Sequence, residues 1–499
     1  MMRSARYSGL SCVVVIVAAC GGGGHDSPPP AVDAGPEPDA CVGTGCDAEV
    51  DCSAVHWAAP DGCTATDLAG KLSCIPGMLV EQQPDDPNLP AYHRFDLTLA
   101  QPIDHDHPEA GTFTQRAVLF HTSDTAPVVF FTNGYGLAKN PVPIELTRLA
   151  SANQISYEHR FFVDSRPSPL DWTKLDIRQA ELDAHHLAQA MHWIYPGRWV
   201  NTGGSKGGIT SVIHRRFHPC DVDATVAYVA PISAGVADQA YNGFIDHVGG
   251  DGRAACRAAI TAFQRRLLEQ RETIEQSVQG TFTLIDLDRA YEIVVVELSF
   301  VFWQYGNPDD ATHGCNAIPD ENASPGAMLG FLQFFGTVDQ TAGAGSLDYY
   351  HAYYHQSAAQ LGYPAIYTAG IADLLRYPGV DTPNTYLPAN EQLSYDPQPM
   401  ADVGTWVTNH GSQMLFLYGE LDPWSAEMFQ PSSKDSHRFI APGNNHESNI
   451  AGLSATDRAT VADLLSRWLS VQVPVARAAP AAVGARPPSD ELGGSRPPL

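Results

Sequence analysis

The residues best suited to chemistry begin with a serine in a glycine-rich turn. The segment 203–208 has the sequence Gly-Gly-Ser-Lys-Gly-Gly, so Ser205 lies at the centre of a G-x-S-x-G pattern. An apolar, strand-like stretch precedes it and a helical stretch follows it. In that setting the serine occupies a sharp turn that exposes its hydroxyl at the end of a sheet strand. A plain glycine-rich turn is the alternative, but the residues that could assist Ser205 favour a nucleophile.

A nucleophilic serine needs a general base and an acid that orients it, and in this chain order both follow the serine. An apolar stretch at 415–418 ends shortly before Asp422, and His446 lies in a loop after the last predicted strand. We predict that His446 accepts the Ser205 proton and that Asp422 holds the imidazole tautomer. Glu420 is the competing acid, but Asp422 lies further into its loop.

The same chemistry needs N–H donors for the negative charge that develops on the substrate oxygen. The residue after the nucleophile, Lys206, would supply one donor from its backbone. The loop at 133–136, Asn-Gly-Tyr-Gly, follows an apolar strand and would supply the other from Gly134 or Tyr135. An ordinary turn is the alternative for this loop.

Apolar runs that alternate with helical stretches must position these residues. Such alternation is typical of a mostly parallel sheet covered by helices. A mainly helical stretch then interrupts the pattern before two late strands resume it, which predicts an α/β-hydrolase fold with an inserted helical cap. The predicted strands are 92–99, 115–121, 127–132, 155–162, 199–202, 225–230, 414–418 and 438–440, and the main helices are 176–194 and 206–217.

The ends of the chain differ in composition from its centre. A basic start and a short apolar run resemble a bacterial export signal whose last residue, Cys20, would be lipidated. Ordinary signal cleavage is the alternative at this position. The predicted divisions are a signal peptide (1–20), a flexible linker (21–40), a loop-like Cys-rich segment (41–90), the first part of the hydrolase core (91–235), the helical cap (236–400), the second part of the core (401–473) and a disordered tail (474–499).

Charge and cysteine content limit the possible partners. The formal net charge of −27 argues against nucleic acid, whose binding requires Lys and Arg against phosphates. A lipid anchor would be the only link to a membrane. Outside the first 20 residues there are eight cysteines, five of them within 41–74, so at least one of those five must pair with a later cysteine if all are bridged. No paired C-x-x-C motifs indicate zinc, and the predicted chemistry calls for no cofactor or metal.

Several motifs resemble the secreted prolyl tri/tetrapeptidyl aminopeptidases of actinomycetes, and part of the chain is also similar to the lysosomal Pro-Xaa carboxypeptidases. The likeness covers roughly 90–470. The resemblance implies a serine exopeptidase that releases tri- or tetrapeptides from free N-termini, with proline preferred before the scissile bond. The motifs lie at 101–105, 111–116, 157–162, 165–167, 171–172, 202–208, 214–217, 228–231 and 418–424.

Three residues are candidates for contacting a peptide. Trp303 belongs to an aromatic group in the cap that could line a proline pocket, although most of that group would serve as cap core. Trp424 ends one of the family-like motifs. Glu158 could receive the substrate's amino group, or it could form a structural ion pair with Arg160 or Arg166. The alternative functions are an esterase or lipase with the same triad and a non-catalytic surface lipoprotein.

Overall fold

The computed structural model describes Cys52 and residues 55–474. Nine strands form one sheet in the order β1-β2-β3-β5-β4-β6-β7-β8-β9. The first three pair antiparallel, β3 pairs antiparallel with β5, and all later neighbours pair parallel. The strands are β1 (Met78–Gln82), β2 (His93–Pro102), β3 (Thr112–His121), β4 (Val128–Thr132), β5 (Asn153–Tyr157), β6 (Trp199–Gly204), β7 (Ala224–Tyr228), β8 (Met414–Gly419) and β9 (His437–Ala441).

The central strands are continuous apolar or small runs that are buried along their whole length, as expected for parallel strands covered on both faces. The helices are α1 (Leu68–Ser73), α2 (Glu145–Ala150), α3 (Ile177–His192), α4 (Lys206–Phe217), α5 (Ala240–His247), α6 (Ala254–Glu269), α7 (Arg271–Glu275), α8 (Leu287–Tyr305), α9 (Pro325–Phe335), α10 (Val338–Ala342), α11 (Ala344–Gln356), α12 (Gln398–Asn409) and α13 (Ala455–Leu469).

The insertion between neighbouring strands β7 and β8 carries α5 to α12. We call residues 236–400 the cap. Its largest core cluster joins the cap helices to a few residues of the sheet loops, among them Tyr135, Phe162 and Trp424. The exact division of the chain into domains stays a prediction.

Two predictions about local structure were wrong. The segment 41–90 was predicted to be loop-like, but it contains α1 and β1. Strand β1 is a short edge strand on which Leu79 is 73% exposed, so its sequence lacks the alternation that marks a half-buried strand. The strand predicted at 155–162 ends at Tyr157, because the chain turns there and the Glu158 carboxylate accepts hydrogen bonds from the backbone of that turn.

Three disulfides lie within the described residues: Cys52–Cys220, Cys63–Cys74 and Cys256–Cys315. The first joins the Cys-rich segment to the loop after α4, so one early cysteine does pair with a later one. The predicted signal peptide, linker, Cys20 site and nearly all of the tail lie outside the described residues. Among the helices of the described part, none is long and apolar enough to cross a membrane.

Candidate active site

Ser205 lies at the turn between β6 and α4, as predicted. Its backbone has φ 55° and ψ −126°, a strained conformation for a residue with a side chain. Close packing enforces the turn, because a Cβ on Gly203 would lie 2.3 Å from the carbonyl carbon of Gly207, and one on Gly207 would lie 2.4 Å from the Thr132 oxygen. The glycines therefore allow α4 to approach the sheet and present Ser205 at its edge.

Asp422 and His446 are in direct contact. His446 Nδ1 lies 2.7 Å from Asp422 Oδ2, and both side chains are buried. Asp422 also accepts a hydrogen bond from the backbone N–H of Trp424 at 3.1 Å, which fixes the carboxylate. Glu420, the competing acid, is exposed and accepts a hydrogen bond from the backbone N–H of Gly443 instead. The loops after β8 and β9 thus pair an acid with a base.

The other ring nitrogen of His446, Nε2, is buried and has no hydrogen-bond partner in the described part of the chain. The His446 backbone N–H donates to the Gln304 carbonyl at 3.0 Å, and its ring lies 6.2 Å from that of Trp424. Both of these neighbours line the pocket that contains Ser205. The imidazole thus packs next to two residues of the pocket wall with Nε2 unbonded, and catalytic hydrogen bonds often close only in the substrate complex.

We call this cavity the Ser205 pocket. Residues from the sheet loops and from α4 form one side of it, and residues of the cap form much of the other. A π-helical turn at Ser357–Leu361 contributes to the cap side, and such turns are frequent at functional sites. The lining residues are Tyr135, Ser205, Lys206, Ile209, Pro231, Ser233, Gln304, Tyr353, Ser357, Leu361, Gly362 and Trp424.

The predicted oxyanion loop lies directly against the start of α4. Gly134 has φ +76°, and a Cβ there would lie 2.5 Å from the backbone nitrogen of Gly207, so only glycine fits. The Lys206 ammonium donates to the Gly134 carbonyl at 2.6 Å. The two segments that we predicted to supply N–H donors are therefore held together by a side chain that the sequence did not indicate.

Lys206 is itself unusual. It is 2% exposed, its ammonium lies 5.6 Å and 5.5 Å from the ring centres of Tyr135 and Phe162, and no carboxylate pairs with it among the described residues. Burial lowers the pKa of Lys206 to about 7. The aromatic faces attract the ammonium and partly offset the loss of hydration.

Tyr135 contributes a group that sequence reasoning missed. It lines the same pocket as Ser205, and burial raises the pKa of Tyr135 well above its usual value, an effect that Ser205 only partly counteracts. The hydroxyl therefore keeps its proton and can act as a donor beside the nucleophile. The sequence predicted only a backbone N–H donor at this residue, and no pattern indicated a role for its side chain.

The three substrate-contact candidates occupy different positions. Trp424 lines the Ser205 pocket, whereas Trp303 is 1% exposed within the cap core and is absent from the pocket wall. Glu158 lies outside that wall as well. Its carboxylate accepts hydrogen bonds from the backbone N–H groups of Leu137, Asp164 and Ser165 and from the Ser165 hydroxyl.

Ion pairs around Glu158 also differ from expectation. Arg160 pairs with Asp183 and Arg166 with Asp348, so neither is the ion-pair partner of Glu158. Arg116 lies 3.6 Å from the Glu158 carboxylate instead.

One buried group in the described residues has the composition of a metal site: His185, His218 and Asp221. Asp221 already accepts hydrogen bonds from His185 and His214, each at 2.8 Å. The His185 and His218 rings are stacked with centroids 3.7 Å apart, so their ring planes do not meet at a common ion. The group also lies at the far end of α4 from Ser205, about 18 Å away along the helix. The hydrogen bonds to Asp221 explain why these side chains lie close together.

The chain matches the family described as PS-10 peptidase S37 over residues 61–490. The chain belongs to the peptidase S37 family. A prolyl tri/tetrapeptidyl aminopeptidase from Streptomyces mobaraensis is 39% identical to it over 437 residues, which cover 84% of this chain and 88% of that protein. The family resemblance predicted from the motifs is confirmed, and the protein is a serine peptidase.

Solved structures with low sequence identity also match. A proline iminopeptidase from Mycobacterium smegmatis is 14% identical, with a TM-score of 0.36 over 78% of this chain and 98% of that one. An α/β hydrolase from Novosphingobium aromaticivorans is 13% identical, with a TM-score of 0.32 over 76% and 99%. The mostly parallel sheet, with its serine turn between β6 and α4, is the α/β-hydrolase fold that the sequence predicted.

Proposed function

We propose that this protein is a serine exopeptidase that releases tri- and tetrapeptides from free N-termini, with proline preferred before the scissile bond. The observation that carries the proposal is the buried Asp422–His446 pair, which contacts Gln304 and Trp424, two residues that line the pocket containing Ser205. The relationship to a prolyl tri/tetrapeptidyl aminopeptidase supplies the substrate class.

In the first step, the Ser205 oxygen attacks the scissile carbonyl carbon while His446 Nε2 takes the hydroxyl proton. Asp422 stabilises the resulting imidazolium through its 2.7 Å contact with Nδ1. The backbone N–H of Lys206, with a donor from Gly134 or Tyr135, stabilises the negative charge on the carbonyl oxygen. The C–N bond then breaks, and the leaving amine takes the proton from His446.

The second step returns the enzyme to its starting state. His446 takes a proton from water, and the resulting hydroxide attacks the acyl carbon bound to Ser205. When the ester bond breaks, the Ser205 oxygen recovers its proton from His446. The released product is a short peptide with a new carboxylate.

The cap supports the exopeptidase assignment. Its residues supply part of the lining of the Ser205 pocket, and we infer that they limit how far a peptide can extend past Ser205. Trp424 packs edge-on against Tyr241 and Phe300, with ring centres 5.4 Å and 5.3 Å apart, and gives the pocket an apolar aromatic wall. Such a wall suits the flat, apolar ring of proline.

The test compares the wild type with Ser205→Ala on free-amine and N-acetylated Ala-Ala-Pro p-nitroanilide and on a p-nitrophenyl ester of a short fatty acid. We expect turnover of the free-amine peptide, much slower turnover of the acetylated one, and loss of both in the variant. Ester turnover without peptide turnover would replace the proposal with an esterase. No turnover of any substrate would favour a binding lipoprotein.

We also propose that the chain is exported and anchored through a lipid on Cys20. The Val-Ala-Ala-Cys sequence at 17–20 supports lipidation, and the three disulfides of the described part suit an oxidising compartment. Expression in a bacterial host with labelled palmitate should label the wild type but not Cys20→Ala. Equal labelling of both would exclude this anchor.

A further inference from the structure

A pair of acidic side chains is buried in the cap without a basic partner. Glu297 on α8 is 3% exposed and Asp381, in the loop before a short 3-10 turn, is 5% exposed. Both carboxyl groups contact the same hydroxyl, that of Tyr386. No Lys, Arg or His side chain forms an ion pair with either within the part of the chain that the structure describes.

Neutral groups satisfy this pair only in part. The Tyr386 hydroxyl donates to Asp381 Oδ1 at 2.7 Å and lies 3.4 Å from Glu297 Oε1. Asp381 Oδ2 has no hydrogen-bond partner in the described residues, and neither has the buried hydroxyl of Tyr354, whose ring stacks on that of Tyr386 at 4.1 Å. Burial raises the pKa of both Glu297 and Asp381. The site therefore lacks a positive charge and at least one donor.

The pair lies beside the Ser205 pocket. Tyr353 lines that pocket, and the ring of the next residue, Tyr354, stacks on that of Tyr386, whose hydroxyl contacts both carboxyl groups. Gln304, on the same helix as Glu297, also lines the pocket, and its buried side-chain oxygen has no partner in the described part either. Gln304 thus carries an unpartnered acceptor on a residue of the pocket wall.

We propose that Glu297 and Asp381 bind the free N-terminal ammonium group of the peptide and thereby set the length of the peptide released. This inference rests on the exopeptidase function proposed above. A primary ammonium supplies the missing positive charge and three N–H donors. These donors match the unpartnered Asp381 oxygen and the carboxylate of Glu297. Because both carboxyl groups are buried, the cap must open around them when the peptide binds.

The spacing along α8 fits a short peptide. Glu297 lies seven positions before Gln304, which corresponds to about 10 Å along the helix axis. Three extended residues span about 10 Å. A peptide whose scissile end lies near Gln304, in the pocket that also contains Ser205, would therefore place its amine near Glu297 after about three residues, and a fourth fits if the chain is less extended.

The alternative anchor is Glu158, and the structure argues against it. Four donors from the surrounding loop already occupy its carboxylate, and Arg116 lies 3.6 Å away. An incoming ammonium would have to displace several of these contacts. The pair in the cap has an unoccupied oxygen and no cation to displace.

The experiment measures kcat/KM for Ala-Ala-Pro p-nitroanilide and for propionyl-Ala-Pro p-nitroanilide, which has the same length but no amine. We expect Glu297→Gln and Asp381→Asn to reduce the preference for the free amine by about tenfold or more, because each leaves a buried ammonium with one charge partner fewer. Glu297→Asp, which keeps the charge, should restore part of the preference. An unchanged ratio in both carboxamide variants would overturn the inference.

Glu292→Gln is the matched control. Glu292 is a buried glutamate on the same helix, but Arg271 and the backbone N–H groups of Arg376 and Tyr377 occupy its carboxylate. This variant should lower stability and leave the preference for the free amine intact. If Glu292→Gln or Glu158→Gln loses the preference for the free amine while Glu297→Gln keeps it, the amine binds elsewhere and the inference is wrong.

A series of free-amine substrates with two to five residues before the leaving group gives a second measurement that needs no variant. We expect the wild-type kcat/KM to peak at three or four residues. Equal rates for two and three residues would overturn a fixed anchor while leaving the peptidase function intact. A wild type that cleaves no peptide would remove the proposed function and this inference together.

Discussion

The carboxylate of Asp422 and the acidic pair of the cap differ in how completely their oxygens are bonded. The Thr132 hydroxyl bonds to the carbonyls of Thr202 and Gly207, and Asp422 bonds to His446 and to the Trp424 backbone. In the cap, the unpartnered atoms include Asp381 Oδ2, the Tyr354 hydroxyl and Gln304 Oε1.

The difference indicates a division of labour. Groups that must act at a fixed geometry are preorganised, because misplacement by even 1 Å is costly in rate. Groups that recognise a ligand can remain incompletely bonded until it binds. Beside Asp422, the unpartnered atoms of the described residues include the Trp424 indole nitrogen and His446 Nε2, and we propose that His446 Nε2 takes the Ser205 proton when substrate is bound.

The largest expected effect comes from a substitution in the proposed catalytic triad. Asp422→Asn removes the charge that stabilises the His446 imidazolium and disturbs its tautomer, so we expect kcat to fall by about 10⁴-fold with little change in KM. Steady-state kinetics on the free-amine tripeptide substrate will measure this. A loss of less than tenfold would show that Asp422 is not the orienting acid, and Glu420→Gln is the control that should have little effect.

Two glycine substitutions compare the packing beside Ser205 with the packing at the surface of the cap. Gly207→Ala would place a Cβ 2.4 Å from the Thr132 oxygen, so we expect the free energy of unfolding to fall by about 3 kcal/mol. Gly330→Ala lies in α9 of the cap with no atom within 4 Å of its Cβ and should stabilise by up to about 1 kcal/mol. Urea unfolding measures both, and equal effects would refute the contrast in packing.

Tyr135→Phe tests whether the hydroxyl near Ser205 acts as a donor. Loss of one donor to a developing oxyanion typically lowers kcat by about 10²-fold. The phenylalanine keeps the ring that packs against Phe162 and near Lys206, so stability should change little. An unchanged kcat would leave the backbone N–H groups as the sole donors.

The smallest effect concerns the pH dependence of stability. Unfolded Lys206 keeps its proton up to a pKa of about 10.4, whereas burial lowers the folded pKa to about 7. The unfolded state therefore binds more protons between these values, and Lys206 makes stability rise with pH there. The melting temperature of Lys206→Met relative to the wild type should be highest below pH 7 and decline towards pH 10. A difference in melting temperature that stays constant over this pH range would show that folding does not lower the pKa of Lys206.

The sequence predicted most of the sheet, the turn at Ser205 and the loops that hold Asp422 and His446, because each carries a local signal. The catalytic roles of these three residues stay predictions. The Ser205 turn needs glycines on both sides, and Asp422 and His446 follow recognisable strands. The cap pair had no such signal, since Glu297 and Asp381 lie far apart in a helical segment and only the fold brings them together. The Tyr135 side chain and the Cys52–Cys220 disulfide were unpredictable for the same reason. Strand β1 was missed because it buries too little to show a pattern.

The most direct test of Ser205 as the nucleophile is to map where a covalent inhibitor attaches. Wild type, Ser205→Ala and Asp422→Asn would be incubated with a fluorophosphonate, digested and mapped by mass spectrometry. We predict one adduct on Ser205 in the wild type, slow formation of the same adduct in Asp422→Asn and none in Ser205→Ala. An adduct on another residue, or equal labelling of Ser205→Ala, would contradict the assignment of Ser205 as the nucleophile.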